Sequence, residues 1–389
     1  MLLPALVLGF ALAFCAYTYA GYPALLKVLS LLRRSRDTEA TATLPRISIV
    51  LPVYNEATVI AATLERVLAI DYPRDRRQVL VVSDASTDGT DDIVAGFADR
   101  GVDLLRLSHR QGKTAAENAA RPLLTGEIVV NTDASVRIDT NAIKHLVAAF
   151  DDPTVGVASA RDVSVASLDA GANAGEGTYV GYEMWIRDLE TRVDGIVGAS
   201  GCLYAIRADL HMRPIRDDLS RDFAAALTAR EQGFRAVSVP SAICYVPRGR
   251  SLHQEYRRKV RTITRGLATL VSKRGLLNPL RYGAFSWMLF SHKVCRWLVP
   301  WALASATVAL ADLAWAFPPA RVLFAAAIVV GALAAAGWRS HERVPPRLLA
   351  LPAYLVAGNV AVLHAWIRLV TGRAAPVWEP TRRDALSSS

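Results

Sequence analysis

Four apolar runs in the first third of the chain each end in residues able to handle a charged, oxygen-rich ligand. ISIVLPVYNE (47–56) closes on Pro52, Tyr54, Asn55 and Glu56. VVSDASTDGT (81–90) closes on Asp84, followed by Ser86, Thr87, Asp88 and Gly89. SHRQGKT (108–114) offers His109, Arg110, Gln111 and Lys113, and VVNTDAS (129–135) offers Asn131, Asp133 and Ser135. Carboxylates and amides can hydrogen-bond a nucleoside base and ribose. A lysine, and a divalent cation held by carboxylate oxygen, can meet a diphosphate. Each piece also has a plainer reading. Ser86, Thr87 and Asp88 can cap a helix whose first turn carries Asp91 and Asp92. Lys113 can be a solvated surface charge, and Asp133 a second helix cap.

What would bring them together is the pattern around them. Strand-like runs at 46–53, 79–84, 102–107 and 127–133 alternate with amphipathic stretches at 56–69, 88–98, 114–124 and 141–150. Such alternation predicts crossover units and a parallel sheet. In that architecture ligands bind at the carboxyl ends of the strands, near the switch in strand order. Glu56, Asp84, Lys113 and Asp133 are therefore expected on one rim.

Further on, Arg257, Arg261 and Arg265 recur at helical spacing, flanked by Arg258 and Lys259. One basic helix face suits a diphosphate, the phosphate of a lipid acceptor, or anionic headgroups. GYEMWIRDLETR (181–192) reads as an amphipathic helix, and GASG (198–201) as a small-residue loop where a sugar can approach backbone.

The chain has 389 residues, 52% of them hydrophobic, and a formal net charge of +10. Basic charge with this hydrophobicity points to a membrane rather than to nucleic acid, for which no motif is present. Residues 2–22 are uncharged and precede Lys27, Arg33, Arg34 and Arg36, the pattern of an uncleaved anchor with its C-terminal end in the cytoplasm. A polar linker follows at 37–43. Stretches 297–317, 322–338 and 348–370 have the length of three more membrane helices, with Asp312, Asn359 and His364 inside them. RYGAFSWMLFSHKVCRW (281–297) reads as interfacial. One anchor plus three later crossings puts the C-terminus outside, whereas Arg368, Arg373, Arg382 and Arg383 argue for inside. Either one segment does not cross or the charge rule is overridden. Cys15, Cys202, Cys244 and Cys295 form no paired or metal-binding spacing and read as free thiols.

ISIVLPVYNE, VVSDASTDGT, RQGKTAAENAA and GEIVVNTDAS, in this order, resemble the donor half of family-2 glycosyltransferases of the GT-A fold. The likeness continues through GASGCLYAIRADL (198–210), SRDFAAALTAREQGFRAVSVPSA (220–242), YRRKVRTITRGL (256–267), SHKVCRWLVP (291–300) and VWEPTRR (377–383), nearly the whole chain. It implies an α/β GT-A fold, Rossmann-like with a mixed, mostly parallel sheet and flanking helices, joined to transmembrane helices. The expected organisation is an anchor at 1–36, a cytoplasmic catalytic domain at 44–274, an interfacial segment at 281–297, membrane helices at 298–371 and a polar tail at 372–389.

By the same resemblance Pro52, Tyr54, Glu56 and Asp84 serve the nucleoside, with Asp84 on the base, and Lys113 and Arg261 the nucleotide. Asp133 stands at the first aspartate of the family's D-x-D, which holds the diphosphate through Mg2+ or Mn2+. The second position is Ser135, a much weaker ligand than a carboxylate. Asp133 then holds the metal with diphosphate oxygens and water, or Arg137 supplies positive charge instead. Asp222 matches the base that takes the acceptor's proton, although Arg221 stands where an acid is more common. Glu183, Trp185 and Gly201 fall on the acceptor side. Residues 258–262 keep Arg261 of the Q-x-x-R-W motif of polymerising relatives but lack its glutamine and tryptophan.

The resemblance thus implies an inverting enzyme of the inner membrane. It would move sugar from a nucleotide-sugar, expected to be UDP-linked, to a lipid-linked or cell-envelope glycan acceptor. The alternatives are a processive synthase of chitin, hyaluronan or poly-N-acetylglucosamine type, or an inactive nucleotide-sugar-binding scaffold.

Overall fold

The computed structural model describes residues 1–32, 44–165, 174–247, 252–339 and 347–373. The linker at 37–43, Arg33, Arg34 and Arg36, and the VWEPTRR motif with Arg382 and Arg383 lie outside the described residues.

Among the described residues eight strands form one sheet: β1 Ile47–Val53, β2 Arg77–Ser83, β3 Val102–Arg106, β4 Ile128–Thr132, β5 Arg137–Ile138, β6 Val155–Val165, β7 Leu203–Arg207 and β8 Arg235–Pro247. Their order is β3-β2-β1-β4-β7-β6-β8-β5. β1 to β4 are mutually parallel, as the alternation predicts. β7 then runs antiparallel to both β4 and β6, so the sheet is mixed.

Every residue of β1 and β4 is buried. Covered on both faces, such strands read as near-continuous apolar runs rather than alternating, here interrupted by the buried Ser48, Asn131 and Thr132. Ile47, Ile49, Leu51 and Val130 face one core with Leu64 and Ile143. Val50, Leu80 and Val129 face the other with Ala116 and Ala226. Each fully buried aliphatic side chain contributes roughly 1.5–3 kcal/mol of transfer free energy.

The chain steps outward from β1 through β2 to β3, then returns to β4 on the other side of β1. That reversal is a switch point at the carboxyl ends of β1 and β4. Pairing of β1 with β4 stops at Val50–Asn131, two residues short of Pro52. A proline has no N–H to give a ladder, so it is tolerated where pairing has ended, and there the two strand ends part.

Among the described residues four helices are long and apolar enough to cross a membrane: Leu2–Leu32, Ala284–Ala316, Pro318–Arg339 and Leu348–Val370. The segment expected as separate and interfacial is instead continuous with the helix after it, from Ala284 through a π-helical stretch at Phe290–Cys295. Part of it packs inward rather than along a surface: Phe285, Met288 and Leu289 share a core with Tyr22, Ile186, Phe223 and Leu227. At 33 residues that helix is about 50 Å long at ~1.5 Å per residue, against a hydrocarbon core of about 30 Å. Its first turns therefore belong to the catalytic domain.

Candidate active site

The turn after β2 interlocks with the turn after β1. Asn55 Oδ1 accepts from Thr87 N (2.8 Å), Ser86 Oγ accepts from Asn55 N (3.2 Å), and Thr90 Oγ1 accepts from Glu56 N (2.9 Å). Asp88 accepts from Thr90 N and Ala57 N, both at 3.1 Å. The hydroxyls and Asp88 of VVSDASTDGT thus tie two strand ends together. Asn55 and Ala85 pay for the tight path with positive φ values of 52° and 59°, the kind of strain that collects at functional sites.

Asp84 is 1% exposed. Its two oxygens accept the Gln111 and Gly112 N–H groups, both at 2.7 Å. Asp84 thereby holds the loop that opens the Lys113–Ala120 helix; the resemblance places the same carboxylate on the nucleoside base. The reason is local: Gly112 sits at φ 95°, which leaves its N–H and its neighbour's turned away from the helix and towards Asp84. Tyr54 lies beneath the Arg110 guanidinium, 3.9 Å from ring centroid to Cζ.

A cavity of about 280 Å³ lies beyond that loop, and its lining includes Lys113, Asp133, Gly201, Asp222 and Arg261. Lys113 Nζ donates to Asp133 Oδ1 (2.5 Å) and to the Gly201 carbonyl (3.1 Å). Burial works against the Lys113 charge, but Asp133 and Glu117 outweigh it and raise the ammonium above its ordinary value. Asp222 begins the Arg221–Glu231 helix and accepts the Ser220 hydroxyl at 2.6 Å. A Cβ on Gly201 would lie 3.1 Å from Asp222 Oδ2. Gly201 therefore touches the lysine side through its carbonyl and the aspartate side through its missing side chain.

Arg221, the departure from the family's usual acid, is buried beneath this cavity. It donates to Asn118 Oδ1 (2.7 Å) and lies 3.2 Å from Glu117 and 3.1 Å from His211 Nε2. Burial raises the Glu117 carboxyl, with Lys113 and Arg221 opposing. Burial likewise lowers His211, and Arg221 adds to it. Arg221 is thus the floor's central cation rather than a gap in the pattern.

The basic helix, Leu252–Ser272, presents Arg258, Arg261 and Arg265 to the cavity. Arg257 is exposed and does not line it. Arg258 takes the place of Arg257 beside Arg261 and Arg265, and the buried Glu255 holds it there through two 2.8 Å bonds. Arg265 anchors the loop before Asp222, donating to the Leu219 carbonyl (2.9 Å) and to Thr114 Oγ1 (2.9 Å).

Ser135 is not in the lining. Nor is Arg137, which lies over the Tyr245 ring at 4.6 Å. The cavity's additional cation is Arg187, which sequence reading passed over. Its Nε and Nη1 are buried without a hydrogen bond among the described residues, and Glu183 is 3.8 Å away. Asp162 was missed too; it lines the cavity and accepts the Ser200 hydroxyl at 2.6 Å. Arg187 lies within the amphipathic stretch 181–192, where only Glu183 and Trp185 drew attention, and Asp162 sits in a stretch with no motif to flag it.

Glu183 lines a second cavity, of about 390 Å³, that shares Arg258 and Thr262 with the first and continues to Lys293, Arg296, Tyr354 and Asn359. It accepts from Arg296 (2.5 Å) and pairs with His292 Nε2 (2.8 Å). Burial favours the neutral Glu183, but His292 and Arg296 overcome it and hold the carboxyl well below the usual range. Trp185 lines neither cavity. It is 43% exposed and packs on Tyr182, ring centroids 6.0 Å apart.

A mixed sheet with its switch point beside a cationic and acidic cavity, joined to membrane-length helices, defines a membrane-associated protein of the GT-A fold. Residues 48–196 match the model of the glycosyl transferase family 2, and the chain carries a domain of that family. Among solved structures it is similar to the mannosyltransferase PcManGT from Pyrobaculum calidifontis in complex with GDP-Man and Mn2+. The two share 25% identity and a TM-score of 0.71, over 94% of this chain and 99% of that one. Among curated relatives it is 28% identical over 168 residues to a beta-monoglucosyldiacylglycerol synthase of Nostoc sp.. It is 30% identical over 105 residues to a poly-beta-1,6-N-acetyl-D-glucosamine synthase of Staphylococcus epidermidis. These alignments take in 42% and 27% of this chain, and 36% and 25% of the relatives' own length.

Proposed function

We propose that the chain transfers a sugar, with inversion, from a nucleotide-sugar to an acceptor carried in the membrane. The observation that carries this is the placement of Lys113–Asp133 and Asp222 on either side of Gly201 in one cavity. Asp222 takes the proton of the acceptor hydroxyl as its oxygen bonds to the anomeric carbon. The bond from that carbon to the diphosphate breaks, and its electron pair leaves with the nucleoside diphosphate. Lys113, Arg261 and Arg187 provide fixed positive charge where the leaving group's charge grows.

Asp133 is the residue that would hold Mg2+ or Mn2+. Among the described residues no three His, Cys, Asp or Glu side chains form a metal cluster. One carboxylate still fits a cation that keeps waters and takes diphosphate oxygens as ligands. When bound, the ion supplies charge neutralisation on the diphosphate. Tyr54 and Glu56, beside the loop held by Asp84, are assigned to the nucleoside, with UDP the expected nucleotide.

The acceptor enters through the second cavity. Its walls come from the basic helix and from membrane-associated helices, which supports a lipid or lipid-linked acceptor over a soluble one. The catalytic domain is assigned to the cytoplasmic side of the inner membrane. Proteoliposomes incubated with radiolabelled UDP-sugars and GDP-mannose, then extracted and sized, test the reading. A single labelled lipid product from a UDP-sugar is expected. A ladder of products establishes the processive alternative, and no transfer from any donor refutes the proposal.

A further inference from the structure

By length and composition all four apolar helices can cross a bilayer. Four crossings would put Arg368 and Arg373 on the side opposite the catalytic domain, against the preference of basic residues. The packing of the last helix, Arg347–Val370, speaks to this directly.

Phe317 turns the Arg296–Ala316 helix back into the Pro318–Arg339 helix. Trp297, at the start of one, and Gly337 and Trp338, at the end of the other, therefore mark the same level beside the catalytic domain. The last helix meets that level twice. A Cβ on Gly337 would lie 2.7 Å from the Leu349 carbonyl and 2.8 Å from Ala353 Cβ. Trp366 Nε1 donates to the Trp297 carbonyl at 2.9 Å. From Leu349 to Trp366 the helix runs about 25 Å at ~1.5 Å per residue. A crossing helix would leave that level within a few turns; this one stays on it for most of its length.

Its middle also faces charge. Lys259 Nζ lies 3.9 Å over the Tyr354 ring and 3.4 Å from where Gly358 would carry a Cβ. Tyr256 Oη and His364 Nδ1 are 3.1 Å apart. Residues 354–364 would occupy the bilayer centre in a crossing, and would carry Lys259, Arg258 and Glu255 there with them, positions that ionised groups avoid. The outer surface is apolar: Leu348, Leu351, Leu355, Ile367 and Val370 are each more than half exposed, whereas Ala353, Ala357, Ala361 and Ala365 are buried.

We propose that the Arg347–Val370 helix does not cross the membrane. It lies in the plane of the leaflet beside the catalytic domain, with its exposed apolar side against the boundary between headgroups and acyl chains and its small-residue side against the protein. The described chain then makes three crossings, and residue 373 is on the catalytic domain's side. The inference is independent of the reaction the site performs.

The test uses the full, unaltered chain with an epitope after Ser389, in sealed right-side-out and inverted vesicles treated with protease. Epitope and catalytic domain are expected to be digested in the same vesicle orientation and protected in the other. Digestion of the two from opposite sides overturns the proposal.

Discussion

Asp222→Asn is the substitution that bears most directly on the reaction. The side chain keeps its shape, and the Ser220 hydroxyl, 2.6 Å from Oδ1, can still donate to the amide oxygen. The rotamer is thereby retained and Gly201 meets the same volume. What disappears is the negative charge and the capacity to take a proton. General-base catalysis contributes about 10²–10⁴ in rate, or about 2.7–5.5 kcal/mol at ~1.36 kcal/mol per decade. Turnover should fall within that range. Donor affinity should stay within about threefold, under 0.7 kcal/mol, because the donor's charge is met by Lys113 and Arg261. Initial rates in lipid nanodiscs, paired with calorimetric titration of the nucleoside diphosphate, separate the two. Ser220→Ala serves as the control for positioning and should cost far less. Turnover within about threefold of wild type would remove Asp222 from the role, since no base-dependent step loses so little.

Thorough chelation should weaken nucleoside-diphosphate binding at least about tenfold, roughly 1.4 kcal/mol, with Mg2+ or Mn2+ restoring it; unchanged binding means that the cationic side chains suffice. Arg221→Met should destabilise by about 3–5 kcal/mol, because it leaves Glu117 buried without its nearest counter-charge; Arg221→Met with Glu117→Gln should recover much of that in thermal unfolding, and an additive result would show that the pair is not coupled. Glu183 has a folded-state carboxyl held below its unfolded value, so its stabilisation is complete above about pH 4.3 and fades as pH falls from there towards the depressed value; Glu183→Gln should lower the melting temperature at pH 7 and flatten its fall in acid, and parallel curves for the two proteins would refute this.

The fold class, and the pairing of Lys113 with Asp133 at the cavity, were legible from local pattern. Strand runs bounded by Pro52, Asp84 and Asp133 encode both a buried parallel sheet and the polar residues that close it; of these Asp133 lines the cavity, whereas Asp84 is buried against Gln111 and Gly112. The motif order around Lys113 and Asp222 was legible for the same reason: each lies at a helix start following a strand or loop, where backbone geometry leaves little freedom. Orientation and long-range partnership were not. Asp84 carries no mark of having both oxygens occupied by Gln111 and Gly112. The identities of Arg187 and Asp162 do not show that they reach a cavity built from other elements. Arg258 rather than Arg257 joins Arg261 and Arg265 at the cavity because the buried Glu255 holds it, a fact of packing. Residues 284–297 continue into a membrane helix because Met288 and Leu289 find Tyr22 and Ile186, from distant parts of the chain. Apolar length likewise says that residues 348–370 can lie in lipid; only the neighbours at Lys259, Gly337 and Trp297 bear on which way they lie. Periodicity and strand ends are properties of a few consecutive residues, whereas facing, pairing and depth depend on contacts between different elements of the fold.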